Sequence, residues 1–213
     1  MGDKRELEKR TYNFEIRATE EEETGIITGR PIVYNSVTDL GWFDEVIDEG
    51  ALDGADLTDV RFLVNHNTSM IPLARSRRNN GNSTMQMTID QGGLLLDWVK
   101  LDIKKNATAS ELFSAIQRQD VTGMSFMFSV DEELWENVES EHPTRHIRKI
   151  GSVVEVSAVT FPAYDATSIN ARSEEALESA RQSLEKEREQ RAKELESLEL
   201  LKLKMNLNRR KSK

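Results

Sequence analysis

The sequence predicts an α+β fold: a mostly antiparallel β-barrel, closed or nearly so, with short helices packed outside it and a charged helical tail. Three observations carry this. Many short segments alternate apolar and polar residues with the period of two that belongs to strands. Turn residues separate them, and only two short helices interrupt the series before residue 173, which argues against a doubly wound sheet. From Ser173 the composition changes to Ala, Leu, Glu, Lys, Arg and Gln, with no Gly or Pro as far as Met205. In a chain of 213 residues, the organisation expected is a loose N-terminus over 1–10, a barrel domain over 11–172 and a helical tail over 173–213.

Residues 12–17 (YNFEIR) place Tyr12, Phe14 and Ile16 on one face and read as a strand. Residues 20–23 are an acidic turn. Residues 25–34 (GIITGRPIVY) read as the next strand, with Pro31 marking an edge or a bulge. Residues 43–59 hold an acidic loop and one short helix near 51–57. Residues 60–66 (VRFLVNH) set Val60, Phe62, Val64 and His66 on one face, and the polar run 65–68 ends the strand. Residues 85–89 and 94–103 pair across Asp90-Gln91-Gly92-Gly93, a turn sequence.

Residues 108–119 form the strongest helix of the body. Thr108 and Glu111 make a T-x-x-E capping box, and Leu112, Phe113, Ala115 and Ile116 line one face. Residues 121–130 (VTGMSFMFSV) then alternate. Met124, Phe126, Phe128 and Val130 point one way; Ser125, Met127 and Ser129 point the other. Residues 131–145 read as a polar excursion, and 146–150 and 152–160 as two strands around Gly151. Pro162 takes the chain out of the sheet. In the tail, Ser173-Glu174-Glu175 starts a helix, and Glu187–Arg191 and Glu189–Lys193 are favourable i,i+4 pairs. Leu177, Ala180 and Leu184 fit a heptad seam, as do Leu198, Leu201 and Met205. Glu187, Arg191 and Glu194 fill its middle, so a solvated helix is expected rather than a stable coiled coil.

The formal charge is −9, and residues 1–172 alone carry 18 Lys+Arg against 29 Asp+Glu. So acidic a body repels phosphate backbones, and no nucleic-acid partner is expected. The basic residues Arg209, Arg210, Lys211 and Lys213 read as a solvated terminus. With no cysteine, disulfides, thiol catalysis and zinc–thiolate sites are excluded. No apolar run approaches the ~20 residues of a membrane span, and MGDKRELEKR has no apolar core for a signal peptide. An intracellular protein with no membrane partner is expected.

Ser125 is the first chemical candidate. It is held on a strand, opposite the phenylalanines, two residues after Gly123. A serine hydroxyl becomes a nucleophile when an imidazole accepts its proton and a third group fixes the imidazole's tautomer. Of the three histidines, only His66 lies in an apolar segment. A lone histidine on a strand face also fits a satisfied core residue, and a strand serine an ordinary one. Glu155 interrupts the run VVEVSAV, which otherwise reads as buried. Burying a carboxylate costs several kcal/mol unless it is paired. Its partner could be an imidazole; alternatively Glu155 faces water on an edge strand, or pairs with Arg148 or Lys149. The context G-M-S-F-M is not G-x-S-x-G, and S-x-x-K at Ser125, H-E-x-x-H and a P-loop are all lacking. His142 and His146 are four residues apart with Pro143 between them, so no metal pair is expected there.

The order of segments resembles the tailed-bacteriophage prohead (capsid maturation) serine protease family, relatives of herpesvirus assemblin. The pieces that carry the resemblance are GIITGRPIVYNS, DEVIDEGAL, VRFLVNHNTSMIPLARS, GLLLDWVKL, ELFSAIQRQDVTGMSFMF and IGSVVEVSAVTFPAYDATSINARS, covering residues 12–173. The resemblance implies an assemblin-like barrel, with Ser125 as nucleophile from the GMSF motif and His66 as general base from NHN. Glu155, from EVS, would be the third member, where herpesvirus relatives use a second histidine; Asp165 also lies in the matched region. No cofactor or metal is implied. The implied setting is the immature capsid in the host cytoplasm. There the enzyme cuts scaffold protein or the scaffolding segment of the major capsid protein, and commonly itself. A homo-oligomer is possible, since assemblin relatives are activated by dimerisation. The tail would tether the enzyme during assembly. The competing readings are a non-enzymatic capsid assembly scaffold or chaperone with a degenerate protease domain, and another serine hydrolase, such as an esterase, on the same barrel.

Overall fold

A computed structural model describes residues 7–12, 16–21, 24–160 and 174–211. The described chain is α+β. Its elements are β1 (Glu8–Tyr12), β2 (Ile16–Glu21), β3 (Thr24–Val33), β4 (Thr38–Asp39), β5 (Asp44–Ile47), β6 (Val60–Val64), β7 (Ala74–Ser76), β8 (Met85–Asp90), β9 (Gly93–Leu101), α1 (Ala107–Gln117), β10 (Gly123–Glu136), β11 (Thr144–Val159) and α2 (Glu174–Lys211). One sheet runs β1-β10-β11-β5-β4, with β6 also on β11 and β7 on β6; the other runs β2-β3-β9-β8. Pairing is antiparallel except where β5 and β6 join β11 in parallel.

Among the described residues the strands do not close into the expected barrel. The two sheets meet on one side, where Arg75 N donates to Thr84 Oγ1 and Thr84 N to the Arg75 carbonyl, both at 2.9 Å. On the other side β1 is laddered to β10 and β2 to β3, with no ladder between β1 and β2. Tyr12 and Ile16, expected on one strand, thus lie in different sheets. The core lies between the sheets. Ile27, Ile32, Phe62, Leu94, Leu96, Phe126, Phe128 and Val156 are all fully buried in it. Each such side chain contributes about 1.5–3 kcal/mol of apolar burial.

Several elements differ from the sequence reading for local reasons. Residues 48–55 form successive turns rather than a helix. Gly50 and Gly54 adopt φ of 84° and 79°, and the hydrogen bonds run Ala51 N to Asp48 O, Asp53 N to Gly50 O and Ala55 N to Leu52 O. Helix α1 is capped by Asn106, whose side chain accepts from Ala109 N at 3.2 Å, so the Thr108 box is not the start. The polar excursion is mostly strand: β10 continues to Glu136 and β11 begins at Thr144. Gly151 falls inside β11, beside a shift of register between Ser129 and Val130. Pro31 lies within the register shift between Gly29 and Ile32, as a bulge requires. Strand β1 starts at Glu8, within the stretch expected to be loose.

The beginning of α2 is docked, not solvated. Ala180 and Leu184 are buried against Leu40, Phe43, Trp135 and Val138. Trp135 Nε1 donates to Ser183 Oγ at 3.0 Å, and Arg188 Nε to the Val138 carbonyl at 2.6 Å. Further along, Leu195, Leu198, Leu201 and Met205 are exposed, where the charged residues break the seam. The expected exit at Pro162 and the residue Asp165 lie outside the described residues.

Candidate active site

Three adjacent strands, β10, β11 and β6, build the site. On β10, Phe126 and Phe128 pack with ring centroids 4.9 Å apart in the core, which commits Ser125 to the opposite face. Across the ladders Ser125 stands opposite Ser157 of β11 and Thr11 of β1, and Met127 opposite Glu155. Cross-strand partners share a face, so Ser125, Glu155 and Ser157 project together.

His66 arrives from the end of β6. Asn65 and His66 take φ of 50° and 56°, left-handed positions that are costly outside glycine. Asn65 is held there from every side: its N donates to the Ala158 carbonyl at 3.0 Å, its Nδ2 to Thr160 Oγ1 at 3.0 Å, and its Oδ1 accepts from Thr160 N at 2.9 Å. The turn swings the imidazole back over β11. There Nε2 lies 2.6 Å from Ser125 Oγ, and Nδ1 contacts Glu155 Oε1. The other Glu155 oxygen accepts from Ser157 Oγ at 2.6 Å, and Ser157 Oγ accepts from His66 N at 3.1 Å. Ser157 therefore ties the carboxylate and the histidine backbone to one point. Sequence reasoning missed it, although its position two residues after Glu155 placed it on the same face.

With Nδ1–H given to Glu155, Nε2 presents its lone pair to the hydroxyl. Ser125 and Glu155 are fully buried, and the His66 side chain is 13% exposed. The other two histidines lie elsewhere: His142 Nε2 is 3.1 Å from Asp44 Oδ1 and His146 Nδ1 is 2.7 Å from Asp48 Oδ1. Asp39, Asp44 and His142 bring ligand-type atoms within 4.8 Å of one another at the surface, and this is the place among the described residues that could hold a metal. A cavity of about 300 Å³ lies beside Glu155, walled by Arg61, Met70, Pro72 and Met127.

Strand β1 covers the hydroxyl. Ser125 Oγ is 2.6 Å from the Arg10 carbonyl oxygen, and Thr11 Oγ1 donates to Ser125 Oγ at 2.8 Å. Behind the sheet, Glu8 and Arg10 enter a buried charge cluster with Glu45 and Arg145, which the sequence reading did not foresee. Arg10 pairs with Glu45 through Nε and, at 2.7 Å, through Nη2, and lies 2.5 Å from Glu8; its guanidinium sits 5.7 Å from the Phe128 ring centroid. Arg145 reaches Glu8 at 2.7 and 2.8 Å, Glu45 at 3.1 Å and Glu133 at 2.6 Å. Burial pushes the Glu8 carboxyl up, but the Arg10 and Arg145 guanidiniums outweigh it and hold the group below its usual range.

A hydroxyl, an imidazole and a carboxylate in series can run acyl transfer, the chemistry of the serine hydrolases. The chain belongs to the caudovirus prohead serine protease family, whose model matches residues 12–182. The match extends past residue 172, where the tail was expected to begin, and takes in Ala180 of the docked part of α2. Comparison with curated proteins and with solved structures returns no match. Among the described residues no helix is long and apolar enough to cross a membrane.

Proposed function

We propose that this chain is a serine endopeptidase of phage capsid maturation, with Ser125 as nucleophile, His66 as general base and Glu155 as the group that orients His66. The single observation that supports this best is the unbroken series from Ser125 Oγ through His66, at 2.6 Å, to Glu155. His66 Nε2 takes the hydroxyl proton as Oγ attacks a scissile carbonyl, then gives it to the leaving amine. Glu155 keeps the proton-bearing Nδ1 turned away from the hydroxyl and stabilises the imidazolium that forms. Water completes the cycle by the same route. The substrates are scaffold protein or the scaffolding segment of the major capsid protein, and the enzyme itself, inside the prohead. The two-sheet domain within residues 11–172 does the chemistry, and the exposed part of the tail tethers it to scaffold or shell.

The competing reading is a non-enzymatic assembly scaffold. The observation in its favour is the complete burial of Ser125 under β1. Co-expression with the phage's major capsid protein, followed by mass spectrometry of protein termini, separates the two. New termini that vanish in Ser125→Ala support the protease. Processing that persists in that variant removes Ser125 from the chemistry, and no processing at all favours the scaffold.

A further inference from the structure

We propose that β1 occupies the substrate cleft as an internal substrate, and that the groups holding it define the preferred cut: the bond after an arginine that follows an acidic residue by two positions, here Arg10–Thr11. This rests on the reading of Ser125 as the nucleophile.

The geometry of β1 carries the first part. Proteases and other peptide-binding sheets commonly take an extended segment as an added strand. β1 is such a strand, laddered to β10 with Thr11 opposite Ser125. The Ser125 hydroxyl donates to the Arg10 carbonyl oxygen at 2.6 Å, and His66 Nε2 lies 2.6 Å from that hydroxyl oxygen, so attack on the adjacent carbonyl carbon needs the proton to turn from the Arg10 oxygen to His66. Ser125 is wholly buried, so no other peptide reaches it while β1 is in place. Apart from Tyr12, β1 also lies ahead of the residues that match the family.

The side chains carry the second part. Strand alternation sends Thr11 to the serine face and drops Glu8 and Arg10 through to the other, into a pocket of Glu45, Arg145, Glu133 and Phe128. β1 adds one carboxylate and one guanidinium, so the net charge is unchanged; what Arg10 supplies is local, since without it the fully buried Glu45 keeps only Arg145, at 3.1 Å and shared with Glu133. A buried carboxylate so weakly partnered is expensive, so the position beside Glu45 calls for a cation. Arginine suits it better than lysine, because Nε and Nη2 engage Glu45 together and the planar group lies over a ring. Arg145 engages both Glu8 oxygens, which selects an acidic residue two positions before the arginine.

The step balances with one water. Ser125 Oγ bonds to the Arg10 carbonyl carbon as His66 takes its proton. The bond to Thr11 N breaks, and His66 gives the proton to that nitrogen. Water then attacks the Arg10–Ser125 ester, His66 takes its proton and returns it to Oγ, and Arg10 leaves as a carboxylate. The products are residues 1–10 and a chain beginning at Thr11.

The test uses the full chain and a synthetic peptide of residues 5–15, RELEKRTYNFE, added in trans, with both read by mass spectrometry. The expected result is a new Thr11 terminus and peptide cleavage after Arg10, both lost in Ser125→Ala. Arg10→Glu in the peptide should slow its cleavage about 100-fold, and Glu45→Gln in the enzyme should slow cleavage of the native peptide about 10-fold. If Glu45→Gln does not fold, the peptide series on the unaltered enzyme decides alone. Ser125-dependent processing of the capsid protein, with the peptide uncut or cut without preference for arginine, overturns this inference and leaves the proposed function standing. Absence of Ser125-dependent cleavage of every substrate overturns both.

Discussion

Strand β10 separates two buried polar clusters of opposite character. On one face stand Ser125, His66, Glu155 and Ser157, one carboxylate and three groups that need carry no charge, supplied by β10, β11 and the turn after β6. On the other stand Glu8, Arg10, Glu45 and Arg145, all ionic, and two of the four come from β1. The first cluster is complete without the N-terminal strand. The second is complete only with it. The difference teaches which polar groups belong to the domain's own chemistry and which wait for a ligand strand, and each of the variants below acts on one side of that division.

Ser125→Ala should have the largest effect, lowering peptide cleavage by about 10⁴-fold or more while leaving the charge cluster and the melting temperature nearly as they are. Crystals of that variant showing Arg145 and Glu8 apart would break the claim that the two faces are independent. Glu155→Gln comes next. The amide is nearly isosteric, but it no longer enforces the Nδ1–H tautomer or balances an imidazolium, so kcat should fall by roughly 10³ to 10⁴. Steady-state kinetics with KM nearly unchanged would confirm that the loss lies in the transition state, and a fall of less than tenfold would remove Glu155 from its proposed role.

How much of this could be read from residues alone follows the same division. Alternation around Phe126 and Phe128 was enough to place Ser125 on the far face, because the period of a strand is local information. The burial of Glu155 was legible because a carboxylate among valines needs a partner, yet which partner depended on strand order, which no local pattern contains. β6 had to pair with β11 in parallel before His66 could reach either group. The Glu8–Arg10 pair looked like a solvated terminus, since a charged decapeptide is usually that; only the pocket around Glu45 and Arg145 reverses the reading. Turns over 48–55 displace most of the helix expected near 51–57, because Gly50 and Gly54 act through backbone conformation rather than through apolar spacing.

Ser157→Ala should sharpen the account of the first cluster. It removes a donor to Glu155 and an acceptor for His66 N but touches no reacting atom, so it is a positioning residue. A hydrogen bond to a charged group is worth about 1.5–3 kcal/mol, and the expected loss is about tenfold in kcat with KM unchanged. Ser157→Thr, which keeps the hydroxyl, should restore most of it. A loss of stability without a change in kcat would make Ser157 merely structural.

The smallest effect expected concerns pH and β1. Glu8 titrates below its ordinary value of 4.5 because Arg10 and Arg145 outweigh its burial. A carboxylate whose value is lowered in the docked state stabilises docking fully above its free value, and that contribution is lost as pH falls through the lowered one. The groups around it are Arg10, Arg145, Glu45 and Glu133, of which the two guanidiniums keep their charge throughout this range. β1 should therefore be held equally at pH 7 and pH 5.5 and loosen progressively below about 4.5, while the strands of the opposite sheet stay protected. Amide hydrogen exchange, expressed as protection factors to remove the intrinsic pH dependence, reads this directly. Glu8→Gln should flatten the profile, since it leaves the strand but removes the titrating charge. Protection of residues 8–12 that is unchanged from pH 7 to pH 3 would show that β1 is held by its ladder alone. The ionic face would then be a fixed part of the domain rather than a site waiting for a strand.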